Sequence, residues 1–266
     1  PALPRCYLPL PHRMSVARYT FLFGSILGPM TIVPAQPPIG QWRDHFSYTG
    51  GLAVVEGNGA AYCATRNGVF RYDPATNETE RINKTNALHD VDISALGWSN
   101  NRSALVVGYG NGNIDVVGSG SSVNLSDIMR SSLIGDKRIY SITCEGDLAY
   151  LGCGFGVVVL DLARYEVKDT WLIFPNAAQG RVNAITFHQD SIYAATQSGL
   201  YSAWRNEPNL AAFTNWHQRT DAPQASGWFS EAVSFGGHLF VNWTEPPPST
   251  AGTDTIYYWD SGWHKL

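Results

Sequence analysis

The chain has 266 residues, of which 44% are hydrophobic and 15% charged, and its formal net charge is −4. The apolar fraction is ample for a core, and the acidic balance argues against nucleic acid as the main partner. Gly is plentiful at 26, as a chain rich in tight turns requires.

Residues 1–35 read as targeting sequence rather than fold. Met14-Ser15-Val16-Ala17-Arg18 is a short positive region, Tyr19 to Val33 an apolar run broken by Gly24, Gly28 and Pro29, and Val33-Pro34-Ala35 a small-residue cleavage site. Export with cleavage before Gln36 is therefore expected, with residues 1–13 an upstream extension. The apolar run is too short and broken for a membrane anchor, and no other segment is long and apolar enough to span. The domain expected to fold is 36–266.

From there a repeat takes over. Gly68, Gly112, Gly156 and Gly199 recur with similar surroundings at spacings of 44, 44 and 43. A period of about 40–50 with strand-like runs and Gly turns marks a β-propeller blade. Each copy opens on an apolar run: Leu52 to Val55, Ile93 to Leu96, Ile139 to Ile142 and Val182 to Ile185. A polar turn follows, then a run such as Tyr62-Cys63-Ala64-Thr65, the Gly turn, a third run such as Val69 to Asp73, and a fourth such as Glu78 to Ile82. Four short strands per repeat are predicted. The recurrent Gly is expected to supply a positive φ at the turn. Small residues at Ala64, Gly108, Gly152 and Ala195 fit a second strand where neighbouring blades press together. A fifth copy begins near Glu231 and resumes at Ile256 after a Pro-rich insertion, Glu245 to Gly252, predicted to be an exposed loop. The fold class is all-β, a propeller of four-stranded blades with about five of a probable seven present. No stretch beyond the leader shows a sustained helical period.

The register predicts an incomplete ring. Gln41-Trp42-Arg43-Asp44-His45 precedes the first apolar run as Thr214-Asn215-Trp216-His217 precedes the fifth, and so reads as an outer strand. Trp263-His264 already supplies the outer strand of the fifth copy, so further repeats are expected beyond Leu266, with two unsealed faces left in this chain.

Chemical motifs are few. Three cysteines remain beyond the leader, Cys63, Cys144 and Cys153, and an odd count is no disulfide framework; all three read as small buried residues. The turn at Gly146 is expected to place Cys153 nearer Tyr140 than Cys144. Gly108-Tyr109-Gly110-Asn111-Gly112 and Gly152-Cys153-Gly154-Phe155-Gly156 resemble phosphate-cradling loops, but strands flank both and no helix follows. No histidines stand at metal-ligand spacing, no nucleophile elbow occurs, and no carboxylate pair stands out. No enzyme activity, metal or cofactor is expected.

If the propeller has a binding face, it is the one that carries the loops between second and third strands together with the inter-blade linkers. That face is expected to display Arg66, Asn67, Tyr109, Phe155 and Gln197, with Lys84, His89, Lys137 and Arg181 from the linkers. Several cations and two aromatic rings would suit an anionic glycan.

Asn86-Ala87-Leu88-His89-Asp90-Val91-Asp92-Ile93-Ser94-Ala95-Leu96 resembles the linker and inner strand of two-component-regulator propeller repeats, with Ala87 in place of their usual Gly. Ile39-Gly40-Gln41-Trp42-Arg43-Asp44-His45-Phe46-Ser47-Tyr48, Tyr62 to Phe70, Asn111 to Asp115, Leu125 to Ile128, Ile134 to Lys137 and Ala149 to Leu162 together resemble the N-terminal propeller of PorZ-like proteins. The resemblance runs from about residue 38 to about 218 and more loosely to the end. It implies a surface component of type IX secretion, without catalytic activity, exported to the periplasm or outer surface of a Gram-negative bacterium. The family carries two seven-bladed propellers and a terminal β-sandwich. It works with a sortase-like peptidase and presents anionic lipopolysaccharide for attachment to cargo. An alternative is the oligosaccharide-sensing periplasmic propeller of a hybrid two-component regulator. That class usually carries a Leu-Trp-Ile-Gly-Thr strand, which this chain lacks. A propeller lyase or hydrolase would need a cluster of His, Tyr, Arg or carboxylates at the channel mouth.

Overall fold

Short runs produce strands that alternate apolar and polar where one face is exposed, as in Glu166–Trp171, and are apolar throughout where both faces are covered, as in Ala104–Tyr109, and every repeat has four. The computed structural model describes residues 46–245 and 254–266. The leader, the strand predicted at Gln41 to His45 and most of the Pro-rich insertion lie outside the described residues.

Five four-stranded antiparallel sheets follow one another, each a meander in chain order. Blade 1 is β1 (Ala53–Gly57), β2 (Ala60–Thr65), β3 (Gly68–Asp73) and β4 (Glu78–Ile82). Blade 2 is β5 (Ile93–Ser99), β6 (Ala104–Tyr109), β7 (Ile114–Gly118) and β8 (Ser121–Leu125), followed by a single helical turn, α1 (Asp127–Arg130). Blade 3 is β9 (Ile139–Glu145), β10 (Leu148–Cys153), β11 (Gly156–Asp161) and β12 (Glu166–Trp171). Blade 4 is β13 (Val182–His188), β14 (Ser191–Thr196), β15 (Gly199–Trp204) and the two-residue β16 (His217–Gln218). Blade 5 is β17 (Trp228–Phe235), β18 (His238–Thr244), β19 (Asp254–Trp259) and β20 (Trp263–Lys265). The predicted runs thus become strands in the predicted order.

The core is not one mass but a seam between each pair of neighbouring blades. Tyr62, Ala64 and Val69 of blade 1 meet Leu96, Leu105 and Val107 of blade 2. Val106 and Val116 meet Ile139, Leu151 and Val158 in the next seam. Val157 and Val159 meet Ile185, Ile192 and Ala194 in the third, and Tyr193 and Leu200 meet Phe229, Leu239 and Val241 in the fourth. Alternate residues of each sheet serve opposite seams, as the period of two dictates. The end sheets have nothing on their outward faces among the described residues: Leu52 and Val54 of blade 1, and Val233, Phe235, Ile256 and Leu266 of blade 5, are exposed.

The small residues of the second strand sit where they were expected. A Cβ on Gly108 would lie 2.8 Å from Ile139 Cγ2, and one on Gly152 2.8 Å from the Val182 carbonyl oxygen. The turn glycines divide. Gly112, Gly156 and Gly199 have φ of 85°, 149° and 134°, which only Gly tolerates freely. Gly68 has no such φ; it is needed because a Cβ would come within 3.0 Å of the Ile82 carbonyl and the Tyr48 ring.

The cysteines are free. Cys153 is fully buried, whereas Cys63, which alternates with the seam residues Tyr62 and Ala64 and so faces the side of blade 1 left uncovered among the described residues, and Cys144, at the margin of the second seam, are only half-buried. Burial pushes the Cys144 thiol up to about 12, so it is an inert thiol at neutral pH. Cys153 pairs with Ile139 rather than Tyr140, because the ladder slips by one residue between Gly152 and Cys153.

Candidate functional site

That slip is a β-bulge, and it recurs. Ser94, Tyr140, Asn183 and Ser230 are each left unpaired as the ladder skips one residue near the start of β5, β9, β13 and β17. Each follows a fully buried residue, Ile93, Ile139, Val182 and Phe229. A bulge re-aims one side chain out of the alternation. Ser230 Oγ accepts from Asn242 Nδ2 of its own blade at 2.9 Å, while the other three side chains so released reach the next blade. Ser94 Oγ donates to the Ile139 carbonyl at 2.7 Å, and Asn183 Nδ2 donates to the Phe229 carbonyl at 2.6 Å. The Tyr140 ring instead takes the Arg181 guanidinium at 3.6 Å.

The residues just before those buried positions form the rim: Asp92, Arg138, Arg181 and Trp228. Asp92 stands between two cations, 3.6 Å from Arg66 Nε and 3.5 Å from Arg138 Nη1. Gly110 makes room for that junction, as a Cβ there would overlap both the Asp92 carboxylate and the Arg138 guanidinium. Further round, Tyr140 donates its hydroxyl to Asp136 Oδ2 at 2.6 Å, and Arg181 lies between the Tyr140 ring and the Trp228 ring, 5.0 Å away. Arg181 Nε donates to Asn183 Oδ1 at 2.6 Å, which fixes the plane of the guanidinium. Gly154 plays the part of Gly110: a Cβ there would overlap Asp136. The two Gly-rich clusters are therefore structural. Their first glycine admits the neighbouring blade, the second the linker aspartate, and the third makes the hairpin.

The residues expected on this face fare differently. Arg66 is exposed, with 69% of its side chain accessible, and Lys84, His89 and Gln197 are also exposed. Arg181 is half-buried within the rim. Tyr109 and Phe155 are not displayed at all; both are buried. Tyr109 turns inward to donate to Asp115 Oδ2 at 2.6 Å, and burial beside that carboxylate pushes its phenol well above the usual range. Phe155 packs with Ile128 beneath the hairpin. His89 also serves Asp115: its backbone N–H donates to Oδ2 at 2.8 Å and its Nδ1 lies 2.9 Å from Oδ1. Asn124 Nδ2 adds a donor to Oδ1 at 2.9 Å, so the fully buried Asp115 is saturated by the linker, the hairpin and the outer strand. Lys137 is half-buried and caps the turn after α1, donating to the Met129 and Ser131 carbonyls at 3.0 and 2.7 Å. Sequence reasoning missed Asp92, Arg138, Tyr140 and Trp228. The available signal was the shared position at each inner-strand start.

The described residues hold no group of three or more His, Cys, Asp or Glu placed to ligate a metal, and no helix long and apolar enough to cross a membrane. Chemically the rim offers one guanidinium fixed between two aromatic rings, that of Arg181, and a second, that of Arg138, beside the Asp92 carboxylate. Such groups suit anions and polar rings.

Repeated four-stranded blades with bulged inner strands define a β-propeller. A family model described as the N-terminal β-propeller domain of PorZ, of type IX secretion, matches residues 61–217, and the chain belongs to that family. No curated protein sequence matches it. Among solved structures, PorZ of Porphyromonas gingivalis, an essential bacterial surface component of the type IX secretion system, superposes with a TM-score of 0.66 at 19% identity, covering 81% of this chain and 28% of PorZ. The extracellular domain of a hybrid two component system from B. thetaiotaomicron superposes at 0.60 and 16% identity, over 84% of this chain and 29% of its own length. A Swd1 β-propeller domain from Myceliophteria thermophila gives 0.55 at 13% identity, over 78% of this chain and 64% of its own. The chain thus spans little more than a quarter of PorZ, and structural likeness at these identities speaks for the fold alone.

Proposed function

We propose that this chain is the propeller part of a non-enzymatic component of type IX secretion. It is exported to the periplasm or outer surface and acts by binding a sortase-like peptidase partner and anionic lipopolysaccharide. The family match over residues 61–217 carries this reading. The rim supports its glycan half, since Arg181 sits between the Tyr140 and Trp228 rings with its guanidinium held in a fixed plane, and Arg138 adds a second cation beside Asp92. An oligosaccharide-sensing propeller of a hybrid two-component regulator is the second reading, favoured by the likeness to the B. thetaiotaomicron extracellular domain.

The test is binding of purified anionic lipopolysaccharide to the full chain by calorimetry. Arg138→Ala with Arg181→Ala should weaken it by about tenfold or more, the loss of charge-assisted contacts worth roughly 1.5–3 kcal/mol each. Replacing Arg66, Lys137 and Arg181 together should act through Arg66 and Arg181, since Lys137 is spent on carbonyls. Unchanged binding in both variants removes the rim from the reading. Tight binding of uncharged oligosaccharide with no response to the anionic ligand favours the sensor.

A further inference from the structure

A second site, away from the rim, lies in the outer cleft between blades 1 and 2. It is a cavity of about 540 Å³, within the size range of small-molecule sites. The repeat shows why it is open. The third seam has the same tyrosine position and fills the space above it: Tyr150 is covered by Phe187 at 4.9 Å and by Trp171 at 5.6 Å, with Trp216 beyond at 5.8 Å from Trp171. In the first seam the one ring against Tyr62 among the described residues is Trp98, stacked at 5.2 Å. Ile82 ends β4 where Trp171 ends β12. The β7–β8 hairpin, Gly118-Ser119-Gly120-Ser121, brings no bulk.

The lining is chemically mixed. Ile82, Leu105 and Val117 give an apolar floor, while Asn58, Glu80 and the serines of the β7–β8 hairpin give donors and acceptors. Its charges are Arg71 and Glu80, and Arg71 is already paired with Asp73 at 2.9 Å. A net positive field, which a phosphate or carboxylate ligand requires, is therefore missing. Ser122 borders the cleft, but its Oγ is buried away from it and offers a ligand nothing.

We propose that this cleft binds an uncharged, hydroxyl-rich ligand, a mono- or disaccharide unit, independently of the cationic rim. A sugar ring offers C–H faces to the apolar floor and to the Trp98 and Tyr62 rings, and hydroxyls to Glu80 and Asn58.

Saturation-transfer NMR on the full chain with glucose, galactose, mannose and N-acetylglucosamine, and with glucuronate as charged control, tests it. Transfer to at least one neutral sugar is expected, with glucuronate weaker. Glu80→Gln should weaken binding about fivefold, as one hydrogen bond is worth. Arg138→Ala with Arg181→Ala should leave it intact, which separates this site from the rim. No transfer to any neutral sugar, a preference for glucuronate, or an unaltered signal in Glu80→Gln overturns the proposal.

Discussion

The first and third seams are built from the same repeat and end differently. Both set a tyrosine of the second strand, Tyr62 or Tyr150, beneath an aromatic residue from the next inner strand, Trp98 or Phe187. The third then adds two tryptophans and closes, while the first adds serines and glycines and stays open. The fourth seam has a third solution: Ser234 takes the Trp98 position, and Arg219 lies over Tyr193 at 5.7 Å and Trp259 at 5.4 Å. The backbone fixes where a blade meets its neighbour; a few outer side chains decide whether the meeting leaves a cavity, a solid wall or an ion pair.

Substitutions can break this contrast. The largest effect belongs to Trp171→Ala, which opens a second cleft and should cost about 3–5 kcal/mol in chemical denaturation. Trp98→Ala should cost clearly less, because its surroundings are already hollow; equal losses would mean that the first seam is as tightly packed as the third.

Asp115→Ala comes next. It strands the Tyr109 hydroxyl and the His89 N–H beside the first seam, while the Asn124 amide keeps Asn113 and the Ile114 carbonyl, and should cost about 2–3 kcal/mol. Hydrogen exchange would show the loosening at the Asn86 to Asp92 linker, and protection unchanged there would refute the hub role.

The smallest is electrostatic and tests the fourth seam. Hydrogen bonds from Arg219 at 2.7 and 2.8 Å hold the Asp221 carboxyl down at about 2, below its ordinary 3.8. A carboxyl lowered on folding stabilises above its ordinary value, and the gain is lost as pH falls through about 2. Asp221 is 45% exposed, so screening reduces the gain to about 1 kcal/mol. Thermal melts of the chain and of Asp221→Asn should differ at pH 5 and converge near pH 2; a constant gap would assign the effect to packing.

Much of the architecture was legible in the residues, because strand position, turn and small-residue register repeat together. The blade boundaries at Ile93, Ile139 and Val182 follow directly from that. What escaped were deviations from the period. A bulge at Tyr140 or Asn183 adds one residue to a strand without altering its apolar look, and so hides which side chain is released. Tyr109 and Phe155 were misplaced for a related reason: a hairpin position says which end of the blade a residue occupies, not that a buried Asp115 or Ile128 waits underneath to draw it in. At the one shared rim position Asp92 and Trp228 differ in charge and size from each other and from Arg138 and Arg181, so similarity between copies, the very signal that revealed the fold, passes over it; Arg181 was found only as a linker cation.

The bulge stitches carry one more consequence. The fastening always joins the same two positions of neighbouring copies: a small polar side chain at the bulge of one blade, Ser94 or Asn183, donates to the carbonyl of the buried residue just before the bulge of the next, Ile139 or Phe229. A unit cut out or duplicated at the linkers needs only such a side chain at its bulge to be fastened to the blade that follows. Gene duplication could then lengthen such a chain by whole blades without first inventing a new joint.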